Sequence, residues 1–263
     1  MASCHPGVDA TPVTALVEGL YAQTGCDESR IASLRAAADN KGECVWGEVL
    51  TPLPLLQALK VSRGDVFYDL GSGRGQLVLA AAAVAQSGTP SGGLAAAATT
   101  AAGASEPPLS NTDGLRAIGV ELLPQRHGMA LAALAAAPPS VRACCEFRCG
   151  DALRSDLRDA TKVFICNLAF PAALNAQFVD ALAAEAAPRL ERMATAAPLP
   201  REEALKAGLA LQRVIAVEAT WSQSGAPIFV YDRRKDLNAC DFPNATALAA
   251  MIHEALGDEF SEP

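Results

Sequence analysis

The feature that most constrains this chain is an apolar strand pattern that runs directly into a glycine-rich turn and then into a helix. Residues 66–70 are apolar apart from one acid, and glycines follow at 71, 73 and 75. Glycine permits positive φ angles and lets a backbone approach a ligand closely, and a helix start has unpaired N–H groups. An apolar run, Leu77 to Ala80, opens the helix. The pattern therefore predicts a ligand-binding loop at the carboxyl end of a strand.

The spacing of the glycines and the position of the acid indicate which ligand this loop binds. A dinucleotide fingerprint reads G-x-G-x-x-G, whereas this loop reads G-x-G-x-G with Asp69 two residues before the first glycine. A carboxylate there would repel a pyrophosphate and attract a cation. S-adenosylmethionine carries an ammonium and a sulfonium. We therefore expect a methyltransferase-type loop that binds S-adenosylmethionine rather than NAD.

Composition limits the class of protein. A chain of 263 residues, 51% hydrophobic and 19% charged, can bury a substantial core in one large domain with a small lobe. The net charge of −8 disfavours broad, non-specific binding of nucleic acid. No run approaches the roughly 18 apolar residues of a membrane span, and residues 1–6 do not resemble a secretory signal.

The spacing of cysteine and histidine does not indicate a metal site. None of the eight cysteines forms a C-x-x-C pair, and His5, His127 and His253 do not cluster with them. Cys144, Cys145 and Cys149 suggest either a metal or redox site or ordinary thiols of a cytosolic or nuclear protein. The spacing favours ordinary thiols, so we predict no metal.

The chain is predicted to have three parts. Helical periodicity from about residue 12 to 38 predicts an N-terminal helical lobe over 1–45, before a main domain over 46–235 and a C-terminal tail or helix over 236–263. Low-complexity sequence over 86–113 predicts an insertion. Without it, 18 residues separate Gly75 from Glu121. That is close to the roughly 20 expected between a glycine loop and the acid that ends the second strand.

Alternating patterns predict a mainly parallel, doubly wound α/β sheet of the Rossmann-like class I methyltransferase type, with the ligand at the carboxyl strand ends. After the 66–70 strand, further strands are predicted over 117–121, 146–149, 162–167, 213–219 and 227–231. Helices are predicted over 52–59 (with Thr51 as N-cap), 124–136 and 172–187.

Polar residues at the strand ends indicate the chemistry. Asp69 is placed to hold the amino-acid part of the cofactor, Glu121 to accept the ribose hydroxyls and Asp151 to accept from the adenine amino group. Asn167 follows strand four, beside the expected methyl group. Its side-chain oxygen could orient an acceptor N–H, and Phe170 could stabilise developing positive charge through a cation–π contact. The alternative is a turn Asn and a core Phe.

In this order the motifs resemble the disruptor-of-telomeric-silencing family, the histone-lysine methyltransferases that lack a SET domain. The resemblance spans about residues 40–235. It is carried by Trp46-Gly47-Glu48, residues 69–76, Glu121, Gly150-Asp151 and residues 167–170. Its most specific parts are the loop ending in Gly75-Gln76 and the Asn-x-x-Phe segment.

The resemblance implies S-adenosyl-L-methionine as cofactor, a protein substrate (histone H3 or the nucleosome) and a nuclear location. It implies that the cofactor is covered by Trp46, Gly47, Glu48 and Val49, and cradled by Phe67, Tyr68, Asp69, Leu70, Gly71, Ser72, Gly73, Arg74, Gly75 and Gln76. It further implies contacts from Glu121, Asp151 and Ala152, and a lysine channel lined by Asn167, Phe170, Trp221 and Tyr231.

The chain departs from the family pattern in three places. Trp46 stands where the family usually has tyrosine, Ala152 replaces an aromatic residue, and no lysine-rich tail for nucleosome binding is evident. Three alternatives therefore stay open: another protein lysine as acceptor, a nucleobase or small amine, and a cofactor-binding module without catalysis. The acidic balance disfavours a nucleic-acid acceptor.

Overall fold

The structure is a computed structural model and describes residues 48–87, 114–168, 170–237 and 242–257. The predicted N-terminal lobe, Trp46, Gly47, Ala169 and residues 88–113 of the predicted insertion lie outside the described residues. The division into three parts therefore stays a prediction.

Seven strands form one sheet in the order β3-β2-β1-β4-β5-β7-β6. The central neighbours β1 to β5 pair in parallel, whereas β7 runs antiparallel to both β5 and β6. This is the strand order of the class I methyltransferase fold, so the predicted fold class is confirmed. The strands are β1 Val66–Leu70, β2 Arg116–Glu121, β3 Cys145–Cys149, β4 Lys162–Ile165, β5 Arg192–Thr195, β6 Leu209–Ala219 and β7 Ser222–Arg233.

Helices connect the strands and cover both faces of the sheet. They are α1 Pro52–Leu59, α2 Gln76–Ser87, α3 Pro124–Ala136, α4 Pro139–Arg142, α5 Ala172–Ala181, α6 Arg201–Lys206 and α7 Ala245–Leu256, with a 3-10 turn at Ala152–Arg154. Thr51 occupies the N-cap position of α1 as predicted, but its hydroxyl accepts from the Glu218 amide at 2.9 Å instead of capping the helix. Pro52 begins the helix, where a missing N–H costs nothing.

Successive side chains of a strand point to opposite faces of the sheet, so the core forms two clusters, one on each face. Phe67 and Phe164 pack with α1 and α2 in the first cluster. Tyr68 and Ile165, their neighbours in sequence, pack in the second with residues of α5. Every residue of β1 is buried, so the strand that carries the glycine loop lies at the centre of the fold.

The structure adds one strand to the predicted set and changes the bounds of three predicted elements. No strand was predicted at β5, although it pairs with both β4 and β7, because Arg-Met-Ala-Thr is too short and too weakly β-forming to be recognised. The strands predicted over 213–219 and 227–231 are the longer β6 and β7. Helix α5 ends at Ala181 rather than 187, and the Arg233 guanidinium binds the carbonyl of Leu182 just beyond it.

Within the described ranges, no helix is both long enough and apolar enough to cross a membrane. In the same ranges, no group of three or more His, Cys, Asp or Glu side chains is arranged to hold a metal ion. Cys144, Cys145, Cys149 and Cys166 are free thiols.

Candidate cofactor site at the glycine loop

The glycine loop is held against the neighbouring strand β2. Gly71, Gly73 and Gly75 have φ angles of +88°, +57° and +84°, which residues with a Cβ rarely adopt. The amides of Gly71 and Ser72 both donate to the Val120 carbonyl, at 2.8 and 3.0 Å. These two amides are therefore hydrogen-bonded to β2 and are not available to a phosphate, in agreement with a loop that does not bind a pyrophosphate.

Gly75 is required by packing rather than by a ligand. A Cβ at Gly75 would lie 2.5 Å from Phe147 Cε1, and one at Gly119 would lie 2.7 Å from Phe147 Cδ1. The Phe147 ring on β3 fills the space that the two glycines leave open. The third glycine of the motif thus joins the loop to the sheet.

A pocket opens beside the loop, at the carboxyl ends of β1 and β4. It contains eight of the residues predicted to bind the cofactor: Glu48, Val49, Asp69, Gly71, Ser72, Gly73, Arg74 and Gln76. Four lining residues were not predicted: Leu77, Arg126, Phe164 and Cys166. Arg126 lies in the first turn of α3, and a first turn that follows a parallel strand lies at the ligand edge of the sheet. This position in the sequence is the one feature from which Arg126 could be predicted to line the pocket.

Asp69 is a buried carboxyl with no side-chain hydrogen bond from any described residue. Burial raises its pKa to about 8, and the charges of Glu121 and Glu48 act in the same direction, whereas Arg126 opposes them. Burial of a carboxylate without a partner is costly. A cation that enters the pocket would therefore stabilise the ionised form of the Asp69 carboxyl, and the carboxylate would in turn bind the cation.

Glu48 is fixed from two sides. Its carboxylate accepts from Arg74 Nε at 2.8 Å and from Arg126 Nη2 at 3.1 Å. Burial favours the neutral acid, but the two guanidinium groups outweigh it and lower the pKa of Glu48. Its amide donates to Thr220 Oγ1 and its carbonyl accepts from the Thr220 amide, both at 2.9 Å. The segment that enters α1 is thus fastened both to the pocket and to the turn between β6 and β7.

Glu121 ends β2 and is 5% exposed. Its two carboxylate oxygens accept from the amides of Gly73 at 2.8 Å and Leu123 at 2.9 Å, and Arg126 Nη1 lies 3.8 Å away. Each oxygen retains a further lone pair that can accept a hydroxyl. The geometry is therefore compatible with the predicted contact to a ribose.

Asp151 and Ala152 lie beyond the end of β3, outside the residues that line the pocket. Asp151 accepts from the Leu153 amide at 2.9 Å and caps the 3-10 turn, and 45% of its side chain is exposed. Ala152 packs against the second core cluster. A ligand reaching Asp151 would have to extend past Glu121 along the sheet edge.

On the acceptor side, Asn167 is 2% exposed and bonded within the protein. Its Oδ1 accepts from the Ala197 amide at 2.7 Å, and its Nδ2 donates to the Ala197 carbonyl at 3.1 Å and to Asn175 Oδ1 at 2.9 Å. Asn167 therefore joins the end of β4 to the end of β5. Phe170 stacks on Phe178 with a centroid separation of 5.3 Å.

Several other predicted site residues are not among those that line the pocket. Trp221 packs partly buried against the first cluster. Tyr231 is fully buried in the second cluster, and its hydroxyl accepts from the Leu199 amide at 2.9 Å, while burial raises its pKa to about 12. Phe67, Tyr68 and Leu70 are buried on β1. The structure does not bring Tyr231, Phe67, Tyr68 or Leu70 to the pocket.

The donor set fits S-adenosylmethionine. Asp69 is a carboxylate suited to an ammonium, Glu121 is a carboxylate suited to a diol, and Gly71, with open space at its Cβ position, allows close approach of a ligand. One feature narrows the entrance: Arg126 Nη2 lies 2.7 Å from the position of a Cβ at Gly73. The guanidinium of Arg126 therefore fills the space that a side chain at Gly73 would occupy, and both residues line the pocket.

The strand order and the acid-preceded glycine loop define a class I methyltransferase fold. The sequence model of one family, described as "Histone methylation protein DOT1", matches residues 29–127. This match confirms the family resemblance for the segment that includes the glycine loop and Glu121.

Among the solved structures that are similar to this chain are the following three. An RNA methyltransferase from Salinibacter ruber in complex with S-adenosyl-L-homocysteine is 20% identical with a TM-score of 0.46, over 71% of this chain and 92% of its own. TrmN from Thermus thermophilus is 19% identical with a TM-score of 0.46, over 70% and 48%. An uncharacterised protein from Listeria monocytogenes is 13% identical with a TM-score of 0.48, over 70% and 69%. No curated protein sequence matches the chain.

Proposed function

We propose that this chain is an S-adenosylmethionine-dependent methyltransferase and that its acceptor is the ε-amine of a protein lysine. The observation that carries the proposal is Asp69, a buried carboxyl near the end of the strand that opens the glycine loop, which accepts no side-chain hydrogen bond from any of the described residues. A sulfonium cofactor would supply an electrophilic methyl group. Asp69 would hold its ammonium, Glu121 its ribose hydroxyls and Asp151 its adenine amino group.

Residues at the end of β4 would position the acceptor. A lysine amine has a pKa of about 10.4 and must be neutral to attack, so apolar surroundings that lower this pKa favour the reaction. Asn167 Oδ1 has a second lone pair that could orient the amine, although its first is used by the Ala197 amide. Phe170 and Trp221 would supply aromatic surface. Alignment of amine and methyl group would provide most of the acceleration.

The match to a family described as a histone methylation protein supports a histone as the substrate, and with it a nuclear location. By resemblance the acceptor would be a lysine of histone H3, alone or in the nucleosome. The net charge of −8 means that any contact with nucleosomal DNA would need a local basic surface or a partner protein.

The first experiment measures binding. Titration calorimetry with S-adenosylhomocysteine should show one site on the wild-type protein and no detectable site on Asp69→Asn. Asp180→Asn changes the net charge equally on the exposed surface of α5 and should bind like the wild type. Equal binding by the wild type and Asp69→Asn would refute the assignment of Asp69.

A second candidate is a cofactor-binding module that transfers nothing. It is favoured by one observation: both the oxygen and the nitrogen of the Asn167 amide are already bonded inside the protein. Incubation with methyl-labelled cofactor and histones, nucleosomes or a whole lysate distinguishes the candidates. Tight binding without labelling of any protein would favour the module.

A further inference from the structure

Arg126 is buried among carboxylates at the predicted cofactor site. Its guanidinium lies between Glu48, at 3.1 Å, and Glu121, at 3.8 Å, and only 14% of its side chain is exposed. Its Nη2 also lies 2.7 Å from the position that a Cβ at Gly73 would take. Because Gly73 has no side chain, the guanidinium can occupy this position.

The charges of the site nearly cancel. Three acidic groups (Glu48, Asp69 and Glu121) meet the guanidinium groups of Arg74 and Arg126 in and around one pocket. The charge of Arg126 also acts on Asp69. Buried charges interact more strongly than exposed ones because less water screens them. A change of one charge here should therefore alter how a charged ligand binds.

We propose that Arg126 is a specificity-determining residue that limits how strongly the pocket prefers the sulfonium-bearing methyl donor over its neutral-sulfur product. This inference rests on the proposed function. S-adenosylmethionine and S-adenosylhomocysteine both carry an ammonium and a carboxylate, and differ in the methyl group and the sulfonium charge. A positive charge beside the pocket reduces the advantage of the sulfonium, and the carboxylates increase it. By neutralising Glu48 and Glu121, Arg126 keeps the two affinities close together.

The test is the ratio of the two dissociation constants, product over methyl donor, measured by titration calorimetry without turnover. Arg126→Gln should raise this ratio roughly three- to tenfold, the range expected for removing one partly screened charge. Arg126→Lys keeps the charge, so it should leave the ratio close to that of the wild type. Arg158→Gln removes an equal charge outside the pocket, where 76% of the side chain is exposed, and should change nothing.

A second variant tests the same idea in the opposite direction. Glu48→Gln removes a negative charge but retains hydrogen-bonding capacity toward Arg74 and Arg126, so the ratio should fall. If Arg126→Gln does not fold, the ratio measured for Glu48→Gln still tests whether the charges around the pocket set the preference for the methyl donor.

A purely structural role for Arg126 would weaken both ligands equally and leave the ratio unchanged, which would overturn the inference. If the wild type binds both ligands and the ratio fails to move in either variant, only the inference about Arg126 is wrong. If the wild type binds neither ligand, the proposed function fails and this inference fails with it.

Discussion

Asp69→Asn should lose the cofactor and should gain stability relative to the wild type as the pH rises, because the carboxyl is placed for a ligand rather than for the protein. Burial raises the pKa of Asp69 from 3.8 to about 8. An acid whose folded pKa lies above its unfolded pKa favours folding when protonated. Its stabilising effect is complete below pH 3.8, and it is lost as the pH rises to about 8.

The size of the effect follows from the two pKa values. Each pH unit between them changes the free energy of unfolding by about 1.4 kcal/mol, so the wild type loses on the order of 5 kcal/mol by pH 8. By pH 5 the loss is only about 1.5 kcal/mol. Asparagine does not titrate. The advantage of Asp69→Asn over the wild type should therefore grow by a few kcal/mol between pH 5 and pH 8.

Urea unfolding followed by circular dichroism measures this difference at each pH, and thermal unfolding should show a gain of roughly 2–4 °C per kcal/mol. The decisive quantity is the pH dependence of the difference in the free energy of unfolding, because the amide has a burial cost of its own that does not vary with pH. A difference that stays constant between pH 5 and pH 8 would refute the raised pKa and, with it, the reasoning from an unpaired buried carboxyl.

Three further predictions concern the loop and the acceptor side. Gly75→Ala should lower the free energy of unfolding by roughly 2–5 kcal/mol, because it combines a positive φ with a clash against Phe147. Gly128→Ala is the control, because Gly128 lies in α3 with open space at the Cβ position, and this variant should raise the free energy of unfolding by about 0.5–1 kcal/mol. Equal effects of the two variants in urea unfolding would contradict the packing argument. Asn167→Asp should destabilise by about 2–4 kcal/mol, because a carboxylate cannot donate to the Ala197 carbonyl or to Asn175; unchanged urea unfolding would show that these bonds matter little. Asn167→Ala should bind S-adenosylhomocysteine much as the wild type does but transfer methyl groups at least about tenfold more slowly, and full transfer activity would remove Asn167 from the acceptor site.

The central part of the fold could be predicted because its signals are local. A strand, an acid, three glycines and a helix follow one another without a gap from residue 66 to residue 80. Each residue type there serves a backbone or charge requirement that can be recognised in isolation. In the structure, most residues of that loop line one pocket, and their binding of the cofactor stays a prediction.

The remainder depends on contacts between distant segments. β5 becomes a central strand only because β4 and β7 pair with it. The bonds of Asn167 to Ala197 join residues that are 30 positions apart, so an apparent reaction-site residue also has a structural task that spacing does not reveal. The sequence alone does not single out Arg126, because an arginine in a helix is usually a solvated charge. Its burial follows from Glu48, which is 78 residues earlier in the chain.

Tyr231 illustrates the limit of transferring roles along a resemblance. Residues on a strand alternate between faces, so a shift of one position moves a side chain to the other side of the sheet. Val230, its neighbour, packs in the first cluster with Phe164, whereas Tyr231 packs in the second. A shift of one residue in the alignment of β7 with the family pattern is therefore enough to assign a site role to a side chain on the wrong face of the sheet.

The most direct test of the proposed function is transfer of a labelled methyl group from S-adenosylmethionine to core histones and to nucleosomes, followed by mass spectrometry of the labelled peptides. The proposed function predicts label on a lysine ε-nitrogen with the wild type and none with Asp69→Asn. Label confined to nucleic acid or to small amines, or no label despite tight cofactor binding, would contradict a protein-lysine methyltransferase.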